Sequence, residues 1–129
     1  MSMSDENKPE IIAQFEDENG SPAFIPGALA KHYTIKLSVK GAPVGATLVT
    51  YKLDPTYRQR VRKVPAVIDN FEEYITSYGD YPVEAIIETK AGSVELKENL
   101  SSALKKHYQL QGQLESPQIL EAISEIETH

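Results

Sequence analysis

Cysteine is absent from the chain, and histidine occurs only at positions 32, 107 and 129. Without thiols there is no disulfide framework, no thiolate nucleophile and no cysteine-based metal site. His32, His107 and His129 are scattered rather than set at ligand spacing, so each reads as structural or solvated and no metal is expected. Also missing are the GxSxG elbow, the Walker-A loop, the GxGxxG turn and the HExxH helix. The adjacent carboxylates Glu72 and Glu73 would point to opposite faces of a strand, so they make no acid–base pair. These absences argue against an enzyme: no catalytic residue and no cofactor are expected. No apolar run nears the ~20 residues of a membrane span, and no basic-plus-apolar leader is visible. The expected address is the cytoplasm, with no membrane partner.

What is present fits one folded domain. The 129 residues suffice for a single core, and 40% apolar with 25% charged residues is an ordinary globular balance. The net charge of −6 is unevenly spread. Residues 1–19 hold six acids and one lysine, residues 113–129 hold four acids and no Lys or Arg, and residues 20–112 are left with a net of +3. Acidic ends flank a mildly basic middle, and +3 is too small a footprint to favour nucleic acid.

Periodicity then divides the chain. Residues 1–10 read as a polar tail, and Ile11–Phe15 as a first short strand. AFIPGALA holds two breakers and no clean period, so it reads as a loop. Tyr33, Ile35, Leu37 and Val39 alternate with polar residues, the pattern of a half-buried strand. A second strand places Val49, Tyr51 and Leu53 on one face, FEEYI is a third, and Val83, Ala85 and Ile87 line a fourth that turns at Ala91-Gly92 into SVEL. Six or seven short strands without a βαβ rhythm predict an all-β, immunoglobulin-like antiparallel sandwich, though with no Cys–Trp–Cys signature. Leu100, Ala103, Leu104, His107 and Tyr108 then follow a helical period that Gly112 is placed to end. Ser116-Pro117 opens a second helix with Ile119, Leu120, Ile123 and Ile126 as its stripe. That stripe needs a surface, either the sandwich itself or another protomer through residues 116–127.

Two features could carry recognition. RQRVRKV can continue extended after Asp54-Pro55, which would put Arg58, Arg60 and Arg62 on one face. Guanidinium forks suit an anion or acidic partner, while charges on an edge strand also block aggregation. The second feature is the tyrosines: Tyr57 follows the Asp54-Pro55 break, and Tyr78 and Tyr81 flank Gly79-Asp80. Tyrosines on turns offer large, rigid, amphipathic contact area at low entropic cost, although one of them could be a corner tyrosine of the sandwich.

LDPTY, then Arg60-Val61, then NFEEY, then SYGDYPV resemble in order and spacing the landmarks of the YEATS domain, across residues 31–97. The short acidic chain resembles the prokaryotic branch. The resemblance implies an immunoglobulin-like sandwich whose loop end holds an aromatic slot for an acylated lysine. It also implies Tyr57 and Tyr78 as walls, the Thr56 hydroxyl and the backbone at Tyr78 and Gly79 as partners of the acyl amide, and Tyr81 as a support. Ser77 and Asp80 belong to the same turn. Asp54 stands where the family's box has histidine, and an anion beside aromatic rings favours a cation.

The expected organisation is a tail at 1–10, a YEATS-like sandwich at 11–98 and a helical extension at 99–129. The expected function is a non-enzymatic domain binding a peptide or modified side chain, as an adaptor in a prokaryotic multi-component, defence-type system. The alternative is a structural or oligomerising scaffold whose C-terminal helices make the contacts.

Overall fold

A computed structural model describes residues 8–18, 20–27, 31–113 and 116–128. Most of the expected N-terminal tail, residues 1–7, lies outside the described residues. The elements in chain order are β1 (Glu10–Phe15), β2 (Asp17–Glu18), β3 (Ser21–Pro22), β4 (Phe24–Pro26), β5 (Lys31–Lys40), β6 (Leu48–Lys52), β7 (Val61–Pro65), β8 (Glu73–Ser77), β9 (Pro82–Thr89) and β10 (Gly92–Asn99). Two helices follow, α1 (Leu100–Leu110) and α2 (Pro117–Glu127).

All strand pairs are antiparallel. In one sheet β5 is central and pairs with β1, β4 and β8; the other has the order β10-β9-β6-β7, and β2 with β3 forms a small ribbon. The alternation in β5 buries Tyr33, Ile35, Leu37 and Val39, while β6 and β9 bury Val49, Tyr51, Val83, Ala85 and Ile87. Both sets meet in one core, so the two sheets form the immunoglobulin-like sandwich that the periodicity predicts.

The helices complete that core rather than trail from it. Phe15 at the end of β1 stacks on Tyr108 of α1 at 5.9 Å, and its N–H donates to the Tyr108 hydroxyl at 2.8 Å. Gly112, at φ +69°, ends α1 in a Schellman turn: Gln113 N–H reaches Tyr108 C=O at 2.8 Å and Gly112 N–H reaches Gln109 C=O at 3.1 Å. Helix α2 buries Ala122, Ile123 and Ile126, and its Glu125 accepts a 2.8 Å bond from the Tyr33 hydroxyl of β5. Leu120, expected in the stripe, is 47% exposed and Ala122 takes its place. The buried face therefore runs through 119, 122, 123 and 126, and position 120 falls outside it.

Three local expectations need correcting. Part of AFIPGALA is strand, because β4 gains its hydrogen bonds from β5 although its own sequence has no period. FEEYI begins as a tight turn at Asp69–Phe71, and the strand starts at Glu73. Asn70 and Phe71 there hold φ of +53° and +55°. A bulky residue at positive φ costs of order 1–3 kcal/mol. The buried Phe71 ring, and the 2.6 Å bond from Tyr51 hydroxyl to Phe71 C=O, hold it in place. The third correction concerns the arginines: Leu53 N–H donates to Arg60 C=O at 2.6 Å, so residues 54–59 are the loop that closes β6 onto β7. Arg58 lies on that loop, Arg60 closes it just before β7, and only Arg62 is in the strand, so the three share no strand face.

Candidate functional site

Two turns at one end of the sandwich build the site. In the first, Pro55 sits where its fixed φ suits a β-turn, and Tyr57 N–H closes onto Asp54 C=O at 3.1 Å. The Asp54 carboxylate then accepts two bonds at a single oxygen, from the Thr56 hydroxyl at 2.6 Å and the Thr56 N–H at 3.1 Å. Those bonds favour the charged form and hold Asp54 below the usual carboxylate range.

In the second turn the Ser77 hydroxyl donates to Gly79 C=O at 2.7 Å, and Gly79 N–H donates back to Ser77 Oγ at 3.3 Å. Asp80 leaves this turn to serve the helix: one carboxylate oxygen accepts Ser101 N–H at 2.9 Å and the other accepts the Ser101 hydroxyl at 2.7 Å. Ser101 lies in the first turn of α1, so Asp80 caps that helix from 21 residues away and faces its positive end.

The tyrosines divide between two jobs. Tyr81 is 8% exposed, with its ring 5.6 Å from that of Tyr57 at an interplanar angle of 60°. Its hydroxyl donates to the Tyr57 hydroxyl at 3.0 Å, which donates to Thr76 C=O at 2.6 Å. Burial pushes both phenols upward, Tyr81 further than Tyr57. Tyr78, by contrast, is 49% exposed and lies against the ring of His32 at 5.0 Å.

Between these groups lies a cavity of about 460 Å³. The structure brings all of Asp54, Thr56, Tyr57, Ser77, Tyr78, Gly79, Asp80 and Tyr81 to its lining. It adds His32 and Thr76, which the sequence reading missed. His32 is the second residue of β5, and the register that pairs Tyr33 with Ser77 is what brings it beside the second turn. Its position one residue from the inward Tyr33 puts it on the outer face; only strand pairing reveals the neighbour.

Arg58, Arg60, Arg62 and Lys63 line a separate, shallow depression of about 490 Å³. Arg62 is partly engaged there, by Gln59 C=O at 2.6 Å and the Glu73 carboxylate at 3.4 Å. A third hollow, of about 630 Å³, lies where β1 and β3 meet α1, and burial lowers the pKa of His107 on its wall, with Lys36 adding to the effect. Among the described residues no three His, Asp or Glu side chains converge as a metal site, and no helix is long and apolar enough to cross a membrane.

The fold and site are those of a small antiparallel sandwich whose loop end joins two aromatic turns around a cavity. The family model for the prokaryotic YEATS domain matches residues 33–101, more than half of the chain, and the protein belongs to that family. Among solved structures, it is similar to the Yaf9 YEATS domain recognizing a succinylated H3 peptide, with TM-score 0.51 and 18% identity over 71% of this chain and 69% of that one. It is also similar to the yeast AF-9 homolog protein Yaf9, with TM-score 0.49 and 18% identity over the same shares. The first of these likenesses shows the fold. No curated protein matches the chain.

Proposed function

We propose that the protein is a non-enzymatic recognition domain that holds a side chain of a peptide or protein partner, of the modified-lysine class, in the slot between Tyr57 and Tyr78. The observation that carries this reading is the contrast within one turn. Tyr81 is buried and bonded, while Tyr78, three residues earlier, stands half in solvent on the wall of a 460 Å³ cavity. An aromatic ring kept in water at a loop tip contributes little to the core and much to a contact. Family membership supports the same class, since the structural neighbour Yaf9 is described as recognizing a succinylated peptide.

Within this reading the residues take distinct parts. Tyr57 and Tyr78 are walls, Tyr81 and Ser77 hold the walls in place, and Asp80 ties the turn to α1. Thr56 gives its proton to Asp54, so its hydroxyl meets a ligand as an acceptor. Gly79 N–H is already turned to Ser77, so it is spent within the turn. Arg58, Arg60 and Arg62 are the contact for acidic residues flanking the bound side chain. The sandwich at 11–98 carries recognition and residues 99–129 brace it, in a cytoplasmic adaptor of a multi-component, defence-type system.

The scaffold alternative loses its main surface: the apolar residues of α2 are spent on its own sandwich, leaving Leu120 for an oligomer through 116–127. Peptide arrays carrying modified lysines, probed with the protein and with Tyr78→Ala, test the reading. Binding that Tyr78→Ala abolishes while the variant stays folded is expected. Binding indifferent to Tyr78 would refute it.

A further inference from the structure

Resting on that slot, we propose that its preferred occupant is a methylated ammonium, the head of a methylated lysine, rather than an acyl-lysine, and that Asp54 sets this choice. The first argument is charge. The cavity lining contains Asp54 and Asp80 and neither Lys nor Arg. Asp80 spends both oxygens on the positive end of α1, whereas Asp54 uses only one oxygen, toward Thr56. The second Asp54 oxygen makes no hydrogen bond among the described residues, and the charge that acts on it, Arg60, lies outside the cavity lining.

The second argument is the direction of the hydrogen bonds. An acyl amide needs a donor for its carbonyl. The hydroxyl protons of Thr56, Tyr57, Ser77 and Tyr81 all go to acceptors within the protein: the Asp54 carboxylate, Thr76 C=O, Gly79 C=O and the Tyr57 hydroxyl. None of those four hydroxyls therefore has its proton free for an acyl carbonyl. A methylated ammonium asks for no donor and is attracted by aromatic rings, and three tyrosines, Tyr57, Tyr78 and Tyr81, are on the lining. A succinyl group, which Yaf9 is described as accepting, would bring a carboxylate against Asp54.

The test is retention of four degenerate peptide pools, with trimethyllysine, acetyllysine, succinyllysine or lysine at the centre, by the full chain. We expect the trimethyllysine pool to bind at least ~10-fold more tightly than the acetyllysine pool, a gap of ~1.4 kcal/mol. The succinyl pool should bind weakest. Asp54→Asn keeps an acceptor for Thr56, so the turn and the unfolding temperature should stay, while trimethyllysine binding falls by ~10-fold. Trimethyllysine binding unchanged by Asp54→Asn would overturn the assignment. Acetyllysine binding that is tighter and lost in Tyr78→Ala would overturn the cation preference but keep the slot. Retention indifferent to Tyr78→Ala would remove the slot itself, and retention of no pool would overturn both.

Discussion

Replacing Tyr78 and Tyr81, three residues apart on one turn, should affect different properties. Tyr81 is 8% exposed and packs on Tyr57, so Tyr81→Ala opens a cavity and should cost ~3–5 kcal/mol, as for other core aromatics. Unfolding entropy of ~2.1 cal/mol/K per residue gives ~270 cal/mol/K for 129 residues, so each kcal/mol is worth ~4 °C in Tm. Tyr81→Ala should then lower Tm by ~11–18 °C. Tyr81→Phe removes only the 3.0 Å bond to the Tyr57 hydroxyl and should cost ~0.5–1.5 kcal/mol, or ~2–6 °C. Tyr78→Ala, at a half-exposed position, should stay within ~0.5 kcal/mol, about 2 °C. Its effect should appear in binding, as a loss of ~2 kcal/mol or more if the ring is a central anchor. Differential scanning calorimetry beside a binding titration reads both quantities. A Tyr78→Ala melting point as low as that of Tyr81→Ala would refute the division, because both rings would then be core.

Other perturbations follow from the same contacts. Asp80→Ala removes both bonds that cap α1 and should cost ~1–2 kcal/mol of stability by thermal melting, more than Ser101→Ala, which leaves the backbone bond in place. Ile126→Ala, at a fully buried position of α2, should cost ~2–5 kcal/mol, while Leu120→Ala should be within ~0.5 kcal/mol. Equal effects in calorimetry would mean that α2 packs on its other face. Replacing Arg58, Arg60 and Arg62 together by Gln should weaken binding of an acidic partner, and the loss should shrink with salt, since exposed charges are screened within ~10 Å at 0.1 M. Unchanged affinity with new aggregation in light scattering would instead mark the arginines as edge protection.

Strands with strong alternation were legible because half-burial writes itself into a period of two, as in Tyr33 to Val39. The helix end at Gly112 was legible because a left-handed residue there needs glycine. Features made by distant pairing were not. β4 is a strand only because β5 offers it hydrogen bonds, and His32 reaches the slot only through the β5–β8 register. Asp80 reads in sequence as a turn residue, yet its partner is Ser101. The arginine run alternates like a strand, but the bond from Leu53 to Arg60 folds its first residues into a loop. Sequence order placed the tyrosines on turns. It could not separate the buried Tyr81 from the exposed Tyr78, because that difference is set by what packs over each ring.

The most direct test of the slot is an amide chemical-shift titration of the isotope-labelled protein with the tightest-binding modified-lysine peptide pool. Saturable shifts are expected at His32, Thr56, Tyr57 and residues 76–80, with little change along α2. Shifts concentrated around Leu120 and the exposed face of α2, with the two turns silent, would contradict the account and place recognition on the helices.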